Sequence, residues 1–176
     1  DTPPAWRQNM SLNSGGILVN WSFYDLDYLM HITDWKLQPQ IVLAKWWPIA
    51  EKMSDYVATD SDADSHYIAL VLCNDGIVLS MERSEFSSTT TDQAWEIIGT
   101  EGTLHLPMQE QEGKANAVIL DRFISGKGIV SENIWEDPKG IRNDGQTDAV
   151  LADFVCAVRE NKPPKTSLEQ ALIDIA

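Results

Sequence analysis

Asn20, Tyr24, Asp27 and His31 follow one another at i, i+4, i+7 and i+11. On a helix those positions stack along one line, so an amide, a phenol, a carboxylate and an imidazole can address one ligand. A solvated helix face opposite an apolar stripe explains the same spacing. The residue types argue for chemistry. A face that is merely wet usually carries Lys, Glu and Arg, good helix formers, whereas these four are middling helix formers with hydrogen-bonding tips.

The run from Ser14 to His31 positions them, and it is expected to end near Asp34. At about 100° per residue, Leu18, Val19, Ser22, Phe23, Leu26, Leu29 and Met30 form the arc expected to face the core. Gly15-Gly16 ahead of the run lets another backbone or a ligand approach the helix start. The residues before it, with Pro3 and Pro4, read as an irregular lead-in that brings Trp6 and Arg7. Arg7 can hold a carboxylate or several hydroxyls, and an exposed lead-in is the plainer reading of the pair.

Downstream, Gln40 to Trp47 has the β-branched and aromatic content of a strand closed by Pro48. The polar stretch Ala50 to Ser65 reads as a connecting loop. Its aspartates do not fit a calcium loop, which needs a Gly at the sixth and a Glu at the twelfth position. His66–Cys73 and Ile77–Arg83 around Asn74-Asp75-Gly76 make a β-hairpin. Both strands are apolar on both faces, so both sides of their sheet are expected to be covered. Short strands follow at Trp95–Gly99, Thr103–Leu106, Ala117–Leu120 and Ile129–Trp135. Gln146 to Asn161 has helical period with Val150, Leu151, Phe154, Val155 and Val158 on its apolar side. Thr166-Ser167-Leu168-Glu169 is a capping box for a last helix. Gly126-Lys127-Gly128 lacks a third glycine and a following helix, so it is no phosphate loop. Ser87 to Thr91 is a polar loop.

The chain has 176 residues, 43% of them hydrophobic, and 27 acidic against 13 basic residues for a net charge of -14. That suits one soluble domain and argues against a nucleic-acid partner, which needs clustered Lys and Arg. No apolar run approaches the ~20 residues of a membrane span, and no signal peptide is visible, although the chain starts at Asp1. Cys73 and Cys156 read as buried free thiols, which points to the cytoplasm. His31, His66 and His105 are dispersed, so no zinc site is expected.

Four ordered blocks carry a resemblance. They are Gly15 to Asp27, the strand ending in Asn74-Asp75-Gly76, Ile97 to Leu104, and Phe154 to Leu172. Together they resemble the C-terminal domain of the glucose-fructose oxidoreductase and inositol dehydrogenase (Gfo/Idh/MocA) family over nearly the whole chain. The resemblance implies an α+β fold, an open, largely antiparallel sheet with helices packed on one face. It also implies that residues 1–176 are a single substrate-binding and oligomerisation domain, a fragment truncated at both ends. The family's N-terminal Rossmann domain, which binds NAD or NADP, has no counterpart in this sequence. Neither has the Glu-Lys-Pro segment that supplies the family's lysine.

By the same resemblance, Tyr24 stands where the family has its proton-transfer or substrate-hydroxyl contact. Asn20 replaces an Asp and Ser22 a Gly. A phenol is a poor base at neutral pH without a nearby cation. The implied function is the substrate side of an NAD(P)-dependent oxidoreductase for a sugar, polyol or related hydroxyl compound. In it Tyr24 is catalytic, Asn20 and His31 position the substrate with Asp27 tuning His31, and Arg7 and Trp6 line the cleft. Asp27 and His31 are equally readable as a surface ion pair. A homo-oligomer through the free sheet face follows from the resemblance. The alternative is a noncatalytic family member serving as a binding or oligomerisation module, which Asn20 permits. An acidic metal-binding protein built on Asp55 to Asp64 is a third and lesser reading.

Overall fold

The computed structural model describes residues 4–86, 95–106, 117–136 and 146–175. The polar loop read at Ser87 to Thr91 lies outside them. The chain divides into two compact units, Asp1–Thr89 with Lys165–Ala176, and Thr90–Pro164.

The first unit opens with a short turn, Ala5–Gln8, and a single helical turn α1, Met10–Asn13, capped by the Asn9 side chain. The long helix follows. It starts as a π-helical turn, Leu18–Ser22, and continues as α2, Phe23–Ile32. It stops where Asp34 and Trp35 take left-handed backbone angles, with the Trp35 amide donating to the Met30 carbonyl at 2.7 Å.

β1 (Pro39–Trp47), β2 (His66–Cys73) and β3 (Val78–Ser84) then form a sheet in the order β1-β2-β3, both pairings antiparallel. The hairpin turn is made by Asp75 and Gly76 at positive φ, as the Asn-Asp-Gly sequence predicts. Met30, Leu37, Val71 and Cys73 form the buried core, with Trp35 and Leu79 packed against it. Among the described residues of this unit the opposite face of the sheet is left exposed. Ile41 pairs with Leu72 and Leu43 with Leu70 on that face, and Ile41 and Leu43 are 60% and 72% exposed.

The π turn corrects the expected packing arc. A π turn hydrogen-bonds five residues apart and so adds one residue to the helical period. Ile17 and Ser22, five apart, therefore share the inward side with Met30, while Leu18 and Val19 turn outward. The last helix, α4 in chain order, spans Leu168–Ile175, and its cap is shifted by one residue from the predicted box. The Ser167 amide donates to Gln170 Oε1 at 2.7 Å and the Gln170 amide to Ser167 Oγ at 3.2 Å. The reciprocal pair is thus Ser167 and Gln170 rather than Thr166 and Glu169.

The second unit holds β4 (Glu96–Ile98), β5 (Thr103–His105), β6 (Ala117–Ile124) and β7 (Gly128–Glu136), again in sequential antiparallel order. Gly126 and Lys127 lie in the tight connection between β6 and β7. His105 is held across neighbouring strands, 3.1 Å from Glu96 and 3.0 Å from Asp121. The helix α3, Gln146–Glu160, keeps Val150, Leu151, Phe154, Val155 and Val158 largely exposed and buries Ala157. The fold is thus α+β with open antiparallel sheets, two of them among the described residues where one was expected.

Candidate functional site

The start of the long helix is fixed from a distance. Asp64 Oδ1 accepts from the Gly16 amide at 2.6 Å and Oδ2 from the Leu18 amide at 2.9 Å. The Ile17 amide donates to the Asp64 carbonyl at 2.9 Å. One residue from the connecting loop thus satisfies three amides that a helix start leaves open. The approach is so close that a Cβ on Gly16 would sit 1.8 Å from the Asp64 carbonyl oxygen. Of the two options that Gly15-Gly16 allowed, the structure shows the backbone. Asp62 does the same for α1, accepting from the Met10 amide at 2.7 Å.

The inward side of this helix carries polar anchors that the apolar arc did not foretell. Ser22, fully buried, accepts a hydrogen bond from the Tyr67 hydroxyl at 2.5 Å. Burial pushes the Tyr67 phenol above its ordinary range. One turn on, Asp25 forms an ion pair with Arg83 of β3, and both side chains are mostly buried. These bonds set the helix's rotation against the sheet, because an unpaired buried carboxylate or guanidinium is strongly disfavoured.

The predicted site residues fall into two groups. In the first, Asn20 Nδ2 donates to the Arg7 carbonyl at 3.2 Å, and Asn20 Oδ1 accepts from Asn13 at 3.0 Å. Asn20 therefore ties the lead-in to the helix. Trp21 beside it is a residue that sequence reasoning missed, and so is Arg83. The Arg7 and Arg83 guanidiniums lie 5.7 Å and 5.6 Å from the centre of its ring, within cation-π range. Trp6 is exposed in the short turn preceding α1. Tyr24, one turn beyond Trp21, is 61% exposed, with its ring edge-on to Phe23.

In the second group, Asp27 and His31 meet α4 and its lead-in. His31 Nε2 is 3.6 Å from Asp27 and 3.3 Å from Thr166 Oγ1. Its ring packs edge-on against Trp35. Asp174 of α4 has both carboxyl oxygens buried and without a donor among the described residues. Burial, and then the Asp27 carboxylate, push its pKa up to about 6. The four residues read as one line thus split, Asn20 toward the lead-in and Asp27 with His31 toward α4.

The Asp174 shift gives a pH dependence with a definite sign. The folded protein binds this proton more tightly than the unfolded chain, so the contribution to stability is present below about pH 4 and is lost as pH rises through about 6. Asp174→Asn is expected to flatten this part of the thermal-melting profile. Its melting temperature should exceed that of the wild type by a few degrees at pH 7.5 and by less at pH 5. Parallel profiles for the two proteins would remove the carboxyl pair from the account.

Among the described residues no group of His, Cys, Asp and Glu is arranged to hold a metal ion. Both cysteines are free, with burial pushing the Cys73 thiol up. No helix among the described residues is long and apolar enough to cross a membrane.

The sequence model of the GFO/IDH/MocA C-terminal domain matches residues 1–105. Three solved structures are similar in fold. An NAD-binding protein from Listeria innocua is 16% identical, with a TM-score of 0.68 over 99% of this chain and 46% of that one. An oxidoreductase domain protein from Kribbella flavida is 16% identical, with a TM-score of 0.71 over 99% of this chain and 50% of that one. An aldose-aldose oxidoreductase from Caulobacter crescentus, complexed with glycerol, is 18% identical, with a TM-score of 0.66 over 99% and 46%. The chain therefore spans about half the length of the structures it matches. No curated protein sequence matches it.

Proposed function

The chain belongs to the Gfo/Idh/MocA family as a C-terminal domain, and from that premise we propose that it is the substrate side of an NAD(P)-dependent oxidoreductase acting on a sugar, polyol or related hydroxyl compound. The observation that carries the reading is Tyr24. Its phenol stands exposed one turn beyond Trp21, on a helix whose rotation is locked by the Ser22–Tyr67 bond and the Asp25–Arg83 pair. In this reading the phenol exchanges a hydrogen bond or a proton with the reacting hydroxyl. Asn20 serves by holding the Arg7 and Trp6 segment beside the helix. In this reading His31, between Asp27 and Thr166, steadies the lead-in of α4, while Asp27 faces the Asp174 carboxyl whose charge it disfavours.

Among the described residues, the glycine-rich helix start does not suit the phosphates of a dinucleotide. A dinucleotide's phosphates are commonly held by free amides at such a helix start, and those of Gly16, Ile17 and Leu18 are taken by Asp64. The nicotinamide, which supplies the hydride-transfer chemistry, is assigned to a Rossmann domain beyond these residues. The similarity to an NAD-binding protein and to an aldose-aldose oxidoreductase supports the cofactor and the substrate class.

The noncatalytic reading has one observation of its own, the uncovered apolar face around Ile41, Leu43, Leu70 and Leu72. We take that face as the contact between copies of the protein, and the two free thiols as consistent with the cytoplasm. The test is the full-length protein, titrated with NADH and NADPH and screened against polyols and aldoses for a change in nicotinamide absorbance. Turnover is expected, from a particle that light scattering sizes as a dimer or larger. Cofactor binding with no turnover on any substrate favours the noncatalytic reading, and a monomer overturns the sheet-face contact.

A further inference from the structure

Two guanidiniums converge on Trp21, and they are not equivalent. Arg83 is committed to Asp25 in a mostly buried pair. Arg7 lies over the same indole, half-buried, and among the described residues no carboxylate stands within ion-pair distance of it. Glu85 is the acid that feels both arginines. Burial pushes its carboxyl up and the two cations pull it back, but no ion pair joins it to either. A half-buried guanidinium that makes no ion pair among the described residues, beside a second cation, favours an anion, and the planar fork matches a carboxylate or a phosphate with two parallel bonds. The backbone beneath it is fixed, because the Arg7 carbonyl accepts from both Asn13 and Asn20. Asn20 and Trp21 lie on the turn before Tyr24, so the fork belongs to the end of the helix that presents the phenol.

We propose that Arg7, stacked on Trp21, is a specificity-determining residue that binds a negatively charged substituent of the substrate, so that the substrate is an acidic sugar rather than a neutral one. This rests on the reading of the helix face as the substrate side. The carboxylate of a sugar acid and the phosphate of a sugar ester offer the same chemistry to the fork.

The experiment compares, on the full-length protein, an aldose, its uronate and its 6-phosphate, by turnover and by quenching of tryptophan emission. Wild-type protein is expected to bind and turn over a charged member in preference to the aldose, and whichever charged member wins identifies the anion. Arg7→Met should lose about 10- to 100-fold in kcat/KM on that charged substrate, mostly through KM, and at least tenfold more than it loses on the aldose. Arg7→Lys, which keeps the charge without the fork, should recover part of the loss, a rescue that a purely structural role does not give. Glu85→Gln should strengthen the charged preference by removing a competing carboxylate. Equal losses on charged and neutral sugars, or a wild-type preference for the aldose, overturn the inference. Binding that discriminates charge without turnover upholds the fork and overturns the oxidoreductase reading instead.

Discussion

If the proposed function holds, Tyr24→Phe in the full-length protein is expected to lower kcat by about 10²- to 10⁴-fold, the range lost when a positioned proton-transfer group is removed. On the same proposal, which places a nicotinamide cofactor on another domain, affinity for NADH or NADPH should be nearly unchanged. The structure makes this substitution unusually clean. The ring touches Phe23 edge-on and is otherwise largely exposed, so the loss of one oxygen disturbs no packing. Ser22, two residues earlier, makes the contrast. Its hydroxyl is fully buried against Tyr67, and replacing it moves the helix as well as any chemistry. Steady-state kinetics with a cofactor titration reads the two quantities separately, and normal turnover in the phenylalanine variant takes Tyr24 out of the mechanism.

Gly16→Ala should destabilise the first unit strongly, because its added carbon meets backbone more closely than one at any other described glycine. The new carbon would sit 1.8 Å from the Asp64 carbonyl oxygen and 2.7 Å from its carbonyl carbon, both backbone atoms that no rotamer change can clear. The loop must lift, and the three bonds that Asp64 makes to the helix start go with it. Overpacking of this kind typically costs up to about 3 kcal/mol. For a chain of this size that lowers the melting temperature by roughly 6–12 °C. Thermal melting followed by circular dichroism measures it, and Gly99→Ala is the control, since the added carbon there meets only the Gly102 carbonyl oxygen at 3.5 Å, an ordinary contact, and the backbone is not left-handed. A melting temperature within a degree or two of wild type would show that the helix start tolerates separation from the loop.

The hairpin was legible in the sequence because its information is local. Asn74-Asp75-Gly76 specifies positive φ at the turn, and short apolar runs rich in aliphatic and β-branched residues on either side specify the strands. The helix was legible in extent but not in phase. Nothing in the periodicity of Leu18 to Met30 signals a π turn, and one extra residue there exchanges Leu18 and Val19 for Ile17 on the buried side. The candidate site was half visible. Tyr24, Asn20 and Arg7 stand out by type, whereas Arg83 and Asp64 act from 58 and 48 residues away and leave no local trace. The glycine pair was the one available signal of Asp64, since it announced a close approach without saying by what. The spacing of Asp27 and His31 on one helix is visible in the sequence, and the arrival of α4 and its lead-in beside them is not.

The cap supplied by Asp64 also orders events during synthesis. A ribosome adds residues from the N-terminus onward, so the helix bearing Tyr24 emerges with its first amides open to water, and they stay so until nearly fifty more residues have been joined. The helix proposed to face substrate therefore gains its fixed start only when the connection between β1 and β2 has left the exit tunnel, which couples its final registration on the nascent chain to the arrival of the sheet it packs against.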